Sequence, residues 1–272
     1  MPIARVNGVS LYYEELGQGP PLLLVHAFPV GRGMWDPQVR GLSGRFRVIT
    51  YDCRGFGRSE APTAPDAYSQ AHSVADAQAL LEHLGAVPAA VCGLSMGGGI
   101  ALNLALAHPA SVRALVLCAT GAGSDDPGAF RARCVEYAET SRRGMDIFFD
   151  KMLLWPVFAD FVTGPRESAM LREMVLAQPP HGIGLTALYT LATRPTVHSL
   201  AERLESLRVP TLVVCGSRDT ACVEPSRFLA RTIPGARLWM VEGGSHFVNL
   251  DDPERFNRAL RDFLDGVRPY HS

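Results

Sequence analysis

The feature that most constrains this chain is the pentapeptide Gly93–Gly97 (Gly-Leu-Ser-Met-Gly), which separates two apolar segments. Residues 89–92 are small and apolar, as in a buried strand, and residues 96–108 have a helical pattern that ends before Pro109. A Gly-x-Ser-x-Gly between a strand and a helix is the nucleophile-elbow pattern, in which the serine sits on a turn so sharp that glycines must flank it. Ser95 is therefore a candidate nucleophile.

The same turn is open to two other interpretations. A serine at this position can simply cap the helix that follows. Glycines that open a helix after a strand can also cradle a dinucleotide, but the spacing here is not Gly-x-Gly-x-x-Gly and the chain has no Gly-Lys-Ser/Thr. The strand-to-helix context favours catalysis over both.

A serine nucleophile needs a histidine base and a carboxylate that orients the histidine. Residues 211–216 form a strand-like run that Asp219 follows, and residues 237–242 form another that His246 follows. The order serine, acid, histidine, with the last two on loops after late strands, is the order associated with the nucleophile elbow. We therefore predict a triad of Ser95, Asp219 and His246.

Other histidines and carboxylates compete for these two roles. His26 ends the strand-like run 22–25, and we interpret it as structural, with its ring anchoring the loop that follows. Glu242 and Asp251 are the nearest rivals to Asp219, but neither follows a strand in the required place. The remaining histidines considered are more typical of surface or capping positions: His72, His83, His108 and His271.

Three further motifs accompany the elbow: His26–Pro29 (His-Ala-Phe-Pro), Tyr51–Ser59 (Tyr-Asp-Cys-Arg-Gly-Phe-Gly-Arg-Ser) and Gly243–Val248 (Gly-Gly-Ser-His-Phe-Val). With these motifs the chain resembles the α/β-hydrolase superfamily over nearly all of its length except the middle. Within the superfamily it is most similar to small esterases, 3-oxoadipate enol-lactone hydrolases and the cofactor-free haloperoxidase (perhydrolase) group.

The resemblance implies acyl transfer. Ser95 would attack a carbonyl carbon while His246 takes its proton and Asp219 holds the imidazole. The resemblance also assigns the oxyanion hole to the backbone N–H groups of Phe28 and Met96. Loss of one such donor typically slows a reaction of this kind on the order of a hundredfold or more.

Three local features bear on the chemistry within the superfamily. Haloalkane dehalogenases and epoxide hydrolases of this fold place an aspartate at the elbow, so Ser95 argues against both chemistries. Phe28-Pro29 resembles the aromatic-proline pair of the perhydrolases, which leaves a peroxyacid-forming side activity open. Ala27 replaces the usual glycine, and we expect its methyl group to shift the oxyanion loop.

Strand-like and helix-like segments alternate along the chain, a pattern typical of a mostly parallel sheet flanked by helices. After a strand or hairpin over 3–16, the predicted strands lie near 22–27, 47–51, 89–94, 112–119, 211–216 and 237–242. The predicted helices lie near 35–43, 69–84, 96–108, 224–232 and 253–266. We therefore expect an α/β-hydrolase fold with about eight strands, and we expect residues 267–272 to fray.

Residues 121–200 break this alternation. They contain no clear strand, and helix-patterned segments alternate there with prolines. The segment resembles the helical cap of the superfamily, inserted between two late core strands. We therefore expect a core of residues 1–120 and 201–272 and a cap of residues 121–200 that lies over Ser95.

Apolar side chains beside the expected site are candidate substrate contacts, although an aromatic and Met stripe at helical spacing also packs a cap onto its core. In the core, Phe28 and Met96 are expected to wall the acyl pocket. The cap candidates are Phe148, Phe149, Met152, Trp155, Phe158 and Leu188. A dicarboxylate lactone would also require a cation, and the candidates for it are Arg142, Arg143, Lys151, Arg166, Arg172 and Arg194.

The composition agrees with one α/β core carrying an insertion, since 272 residues, 47% of them hydrophobic, supply a sizeable core. A net charge of −1 without a basic run argues against nucleic acid or an anionic membrane as a partner. We find no signal segment and no long uncharged apolar window, so we expect a cytoplasmic protein. The six cysteines are scattered without metal-ligand spacing, so we expect no disulfide, no metal and no cofactor.

Together these observations predict a serine hydrolase that cleaves a small carboxylic ester through an acyl-enzyme, as a monomer or homodimer. Hydrolysis of an enol-lactone is the first alternative. A ligand-binding receptor is an alternative of a different class, because one fold can host unrelated functions. Multiple turnover would distinguish an enzyme from a receptor.

Overall fold

The structure, a computed structural model, describes residues 2–267, and its central feature is one sheet of eight strands. The order across the sheet is β1-β2-β4-β3-β5-β6-β7-β8. Strand β2 is antiparallel to both of its neighbours, and each pair from β4 to β8 is parallel. The strands are β1 (Ile3–Val6), β2 (Val9–Leu16), β3 (Pro21–Val25), β4 (Arg47–Tyr51), β5 (Ala89–Leu94), β6 (Val112–Cys118), β7 (Thr211–Gly216) and β8 (Arg237–Val241).

The central strands are buried on both faces. Every residue of β5 and β7 is buried, as are all but the first residue of β3. Parallel strands covered by helices on both sides have continuous apolar sequences, and such runs are the reason the sequence predicts β3 to β7 within two residues of their observed ends. The segment 3–16, predicted as a strand or hairpin, forms β1 and β2. The predicted α/β-hydrolase fold is confirmed.

Helices flank the sheet and connect its strands. Before β6 lie α1 (Asp36–Leu42), α2 (Gln70–His83) and α3 (Met96–Ala107). Between β6 and β7 lie α4 (Pro127–Arg143), α5 (Met145–Met152), α6 (Pro156–Ala159), α7 (Pro165–Leu176), α8 (Pro180–Leu185), a π-helical turn (Thr186–Leu191) and α9 (Ala201–Ser206). After β7 come α10 (Thr220–Thr232), α11 (Val248–Asp251) and α12 (Pro253–Asp265).

Helix α10 begins four residues before the start predicted at 224. The fully buried Cys222 lies in its first turn, and the thiol donates a hydrogen bond of 3.2 Å to the carbonyl of Ala119 at the end of β6. This tertiary contact holds a turn that the local sequence does not indicate. Because of the early start, Asp219 stands at the N-terminus of α10.

The segment between β6 and β7 rests on the turn that follows β4. The Gly57 N–H donates a hydrogen bond of 2.9 Å to the Gln178 side chain, and the His181 ring lies 2.9 Å from the carbonyl oxygen of Ala61. A Cβ on Gly182 of α8 would overlap the Gly55 carbonyl, so the two backbones are in direct contact. The division into a core and a cap at 121 and 200 stays a prediction.

Two further predictions concern the ends of the chain and its environment. Of the residues 267–272 that the sequence predicts to fray, 268–272 lie outside the described residues. Across 2–267, none of the helices combines the length and the apolar character that crossing a bilayer demands.

Candidate active site

Ser95 lies where β5 turns into α3. Its backbone adopts φ 56° and ψ −109°, a conformation that side-chain-bearing residues rarely take. The Ser95 N–H donates a hydrogen bond of 2.8 Å to the Cys118 carbonyl, and the Ser95 carbonyl accepts one of 3.0 Å from the Gly99 N–H. The neighbouring strand and the helix therefore hold the serine in a strained position, a condition that is common at reactive sites.

The two glycines of the motif are required by close backbone approach. A Cβ on Gly93 would overlap the Gly97 carbonyl, and a Cβ on Gly97 would overlap the Val25 carbonyl at the end of β3. In both cases the obstacle is backbone, which cannot swing aside as the end of a long side chain can. Glycine is therefore required at these two positions, because the turn packs too closely against the sheet for a side chain to fit.

The loops after β7 and β8 bring Asp219 and His246 together. Nδ1 of His246 lies 2.7 Å from Oδ2 of Asp219, and their side chains are 1% and 0% exposed. Since an ionised carboxylate only accepts hydrogen bonds, the shared proton belongs to Nδ1, and Nε2 is left as the acceptor. Within residues 2–267, Nε2 has no hydrogen-bond partner.

The two rival acids lie elsewhere. Asp251 accepts hydrogen bonds from the Ser245 N–H (2.6 Å) and the Ser245 hydroxyl (2.8 Å), so it secures the loop that carries His246. Glu242 is exposed. Of the three carboxylates weighed from the sequence, Asp219 is the one that contacts the imidazole.

Phe158 of α6 lies near both the serine and the histidine. It shares with Ser95 the lining of a cavity of about 30 Å³, and its ring centroid lies 6.2 Å from that of His246. Among the described residues, no hydrogen bond joins the Ser95 hydroxyl to the imidazole. Such bonds are often long without substrate and tighten only in the reacting complex.

Two backbone donors flank this cavity. Among residues 2–267, neither the Phe28 N–H nor the Met96 N–H donates a hydrogen bond to a backbone acceptor. Met96 is the first residue of α3, so its N–H stands at the positive end of the helix dipole. Both residues line the cavity with Ser95, where developing negative charge would need donors.

His26 anchors the loop that carries Phe28. Its ring is fully buried; Nε2 accepts a hydrogen bond of 2.9 Å from the Cys53 N–H, and Nδ1 lies 2.9 Å from the Ala27 carbonyl. Burial lowers the pKa of His26 below its ordinary value, while the charge of Asp52 opposes this shift. The neutral ring joins the loops after β3 and β4, the structural role that the sequence predicts.

The predicted substrate contacts divide into two groups. Phe28, Met96 and Phe158 line the cavity beside Ser95. The others do not line it: Phe148, Phe149, Met152 and Trp155 are buried, and Leu188 is half-buried. Their part in substrate binding stays a prediction.

Several lining residues were missed by the sequence analysis. The ring of Tyr137 on α4 lies 5.3 Å from that of Phe28 and 4.4 Å from that of Trp155. Tyr137 therefore connects the aromatic side chains of the helical segment to the cavity beside Ser95. Helical periodicity identifies an apolar face but not the cavity that the face borders, so no signal in the sequence separated these residues from ordinary core. They are Ala122, Phe130, Tyr137, Val157 and Leu191.

Asp219, Cys222 and His246 form the one group of potential metal ligands in residues 2–267, with one ligand atom from each within 4.8 Å of the others. Burial raises the pKa of the Cys222 thiol well above its ordinary value, so it stays protonated and donates to Ala119. Asp219 and His246 are bonded to each other. This donor set fits a neutral thiol beside a hydrogen-bonded pair better than a metal centre, which requires a thiolate.

A serine on a strand-to-helix elbow, beside a paired acid and histidine on the loops after late strands, defines the class of this protein. The profile of the family described as alpha/beta hydrolase fold matches residues 20–253, and the chain belongs to this family.

Individual relatives cover nearly the whole chain. It is 32% identical to the proposed carbamate hydrolase RutD of Azorhizobium caulinodans over 275 residues, 98% of this chain and 99% of the relative. The enol-lactonase structure from Burkholderia xenovorans LB400 is 32% identical, covers 97% of this chain and 100% of its own, and has a TM-score of 0.84. A thermophilic esterase from Thermogutta terrifontis is 30% identical over 98% and 99% of the two chains, with a TM-score of 0.87. The family and these relatives support a hydrolase.

Proposed function

We propose that this chain is a serine hydrolase that cleaves small carboxylic esters through an acyl-enzyme intermediate. The observation that carries the proposal is the pairing of Asp219 with Nδ1 of His246, 2.7 Å apart, near a serine held on a strained elbow. Structural histidines normally satisfy both ring nitrogens, as His26 does here. In His246 the second nitrogen has no partner among the described residues, as a general base requires.

In the first step, the oxygen of Ser95 bonds to the ester carbonyl carbon while its proton passes to Nε2 of His246. Asp219 stabilises the resulting imidazolium, and the N–H groups of Phe28 and Met96 donate to the oxyanion. The alcohol then leaves with the proton that His246 holds. These steps yield an ester between Ser95 and the acyl group.

In the second step, water attacks the acyl-enzyme. His246 takes a proton from the water, the tetrahedral intermediate collapses, and the proton returns to Ser95 as the acid leaves. Peroxide in place of water would yield a peroxyacid by the same route. A perhydrolase activity would therefore require no additional residue.

The relatives support acyl chemistry in particular. The Thermogutta relative is an esterase and the Burkholderia relative is an enol-lactonase, and both bonds are carboxylic esters, one open and one cyclic. The enol-lactone is therefore the second candidate substrate. A carbamate, after the Azorhizobium relative, is a third class of carbonyl that the same nucleophile would attack.

The test is hydrolysis of p-nitrophenyl esters from acetate to long-chain acyl groups by the wild type, Ser95→Ala and the control Ser199→Ala. Ser199 is exposed and distant in sequence from the elbow. We expect multiple turnover in the wild type and the control, and a loss of about 10⁴-fold or more in Ser95→Ala. Mass spectrometry after a fluorophosphonate inhibitor should place the adduct on Ser95.

Two outcomes would contradict the proposal. Turnover that survives in Ser95→Ala would remove the serine from the mechanism. No turnover of esters, an enol-lactone or a p-nitrophenyl carbamate would remove the hydrolase and favour a receptor.

A further inference from the structure

Arg194 is the one candidate cation that borders the serine. It lies after the π-helical turn, is half-buried, and lines the cavity of about 30 Å³ with Ser95. It also lines two neighbouring cavities of about 50 and 20 Å³. The other cap candidates are exposed and do not line the serine's cavity: Arg142, Arg143, Lys151, Arg166 and Arg172.

The contacts of Arg194 do not neutralise its charge. Nη2 donates a hydrogen bond of 2.8 Å to the Ala122 carbonyl, and the guanidinium lies over the Phe130 ring, 5.0 Å from the ring centroid. Within residues 2–267, no carboxylate forms an ion pair with Arg194. Burial lowers the pKa of the guanidinium, but an arginine keeps its proton at any pH at which proteins fold.

The titratable groups that interact electrostatically with the Arg194 guanidinium are neutral at physiological pH. They are the thiols of Cys134 and Cys222 and the phenol of Tyr137. Burial raises the pKa of Cys134 to about 12 and raises those of Cys222 and Tyr137 well above their ordinary values. Arg194 therefore presents an uncompensated positive charge to a cavity whose other lining is mostly apolar.

Arg54, by contrast, is a buried arginine whose charge is paired within the chain. Its Nε and Nη2 donate to the two carboxylate oxygens of Asp76 at 2.6 and 2.7 Å, and its Nη1 donates to the Ala67 carbonyl. Burying a charge without such a partner is costly. Arg194 is half-buried and pairs with no carboxylate among the described residues, so its charge is available to an anion from outside the chain.

We infer that Arg194 binds a carboxylate of the substrate, so that the natural ester or lactone carries a free acid group. The inference rests on the proposed function and names its substrate class. A planar carboxylate matches the guanidinium fork, with one negative charge for one positive. A phosphate dianion would leave an excess charge in the apolar cavity.

The test compares acid and amide esters of equal size. Monomethyl succinate and adipate are paired with methyl succinamate and methyl adipamate, and 3-carboxyphenyl acetate is paired with 3-carbamoylphenyl acetate. The pairs place the carboxylate on the acyl side or the alcohol side. The enzymes are the wild type, Arg194→Gln, Arg194→Lys and Arg172→Gln, since Arg172 also lies over an aromatic ring, that of Phe149, but is exposed.

In at least one pair, we expect the wild type to favour the acid in kcat/KM. Arg194→Gln should reduce the ratio of kcat/KM for the acid to kcat/KM for the amide roughly 10- to 100-fold, the range for loss of charge-assisted hydrogen bonds. Arg194→Lys should retain part of the preference, and Arg172→Gln all of it. A preference that is absent in the wild type, or unchanged in Arg194→Gln, would overturn the inference.

Calorimetry separates this inference from the proposed function and from failure to fold. Butyrate and benzoate should bind the Ser95→Ala protein at least tenfold more tightly than butyramide and benzamide do, whether or not any ester is turned over. Equal binding of acids and amides overturns the role of Arg194. Ser95-dependent turnover without a preference for acids leaves the esterase proposal intact and overturns this inference alone.

Discussion

Side chains are positioned differently in two regions of the molecule, the loops at the carboxyl ends of the strands and the helical segment between β6 and β7. In the loops, Ser95, Asp219 and His246 follow the parallel strands β5, β7 and β8, so the sheet positions them. In the helical segment, side chains such as Trp155 and Tyr137 are positioned by packing against one another, with ring centroids 4.4 Å apart.

We expect this difference to separate the residues that set the reaction rate from those that set the substrate range. Parallel strands bring their carboxyl ends to one edge of a sheet, so residues far apart in sequence meet there however the helical segment between β6 and β7 is arranged. Substitutions in the helices near that edge change the residues that line the cavity without changing the position of Ser95. Substitutions in the loops should therefore change the rate of reaction, and substitutions in the helical segment should change stability and substrate range.

The largest effect is expected for the acid. Asp219→Asn should lower kcat about 10⁴-fold, because the neutral amide no longer holds the imidazole in the required tautomer. Asp251→Asn, which weakens the bonds to Ser245, should cost about 1–3 kcal/mol of stability and leave kcat within about tenfold. Ester hydrolysis and urea unfolding of both variants provide the measurements. Equal loss of rate in the two would show that the acid has been misassigned.

The next effect concerns the elbow. Gly97→Ala should destabilise the protein by on the order of 4 kcal/mol or more, since the new Cβ would overlap the Val25 backbone. Gly99→Ala is the control, because the nearest obstacle to its Cβ is the end of the Arg194 side chain at 3.7 Å. Alanine there should be neutral or stabilising by up to about 1 kcal/mol. Urea unfolding with similar stability for both variants would contradict the packing account.

A similar loss is expected inside the helical segment. Trp155→Ala should cost about 3–5 kcal/mol, because the ring is 3% exposed and packs against Tyr137 and Phe148. The adjacent Leu154 is 71% exposed, and Leu154→Ala should change stability by no more than about 0.5 kcal/mol. Chemical denaturation measures both. If kcat fell in Trp155→Ala while stability held, the proposed separation of chemistry from packing would be wrong.

The smallest effect is a pH dependence of stability. Burial lowers the pKa of His26, so below pH about 6.5 the unfolded chain binds a proton that the folded chain does not. The stabilisation is fully present above that pH and is lost as pH falls, by at most about 1.4 kcal/mol per pH unit. Urea unfolding between pH 5.5 and 7.5 should show a shallower slope for His26→Asn than for the wild type or the exposed control His83→Asn. A slope unchanged by His26→Asn would exclude this origin.

The strands and the elbow were predictable because their signals are local. Continuous apolar runs identify buried parallel strands, and the glycines beside Ser95 record a backbone contact that any side chain would prevent. The start of α10 was not predictable, since the buried thiol of Cys222 and its bond to Ala119 fix it across 103 residues. The lining of the cavity was predicted only in part for the same reason.

The sequence by itself determined the fold class, the strand positions and the candidate residues Ser95, Asp219 and His246. These features follow from short local patterns, namely apolar runs in the buried strands and glycines at the sharp turn. Only the tertiary structure showed that Asp219 rather than Asp251 contacts the imidazole. Only the tertiary structure distinguished Arg194 from the five other candidate cations between β6 and β7, since burial and the absence of an acidic partner among the described residues depend on how distant helices pack. The sequence shows which residues are charged, but whether a charged side chain has a partner of opposite charge depends on the folded structure.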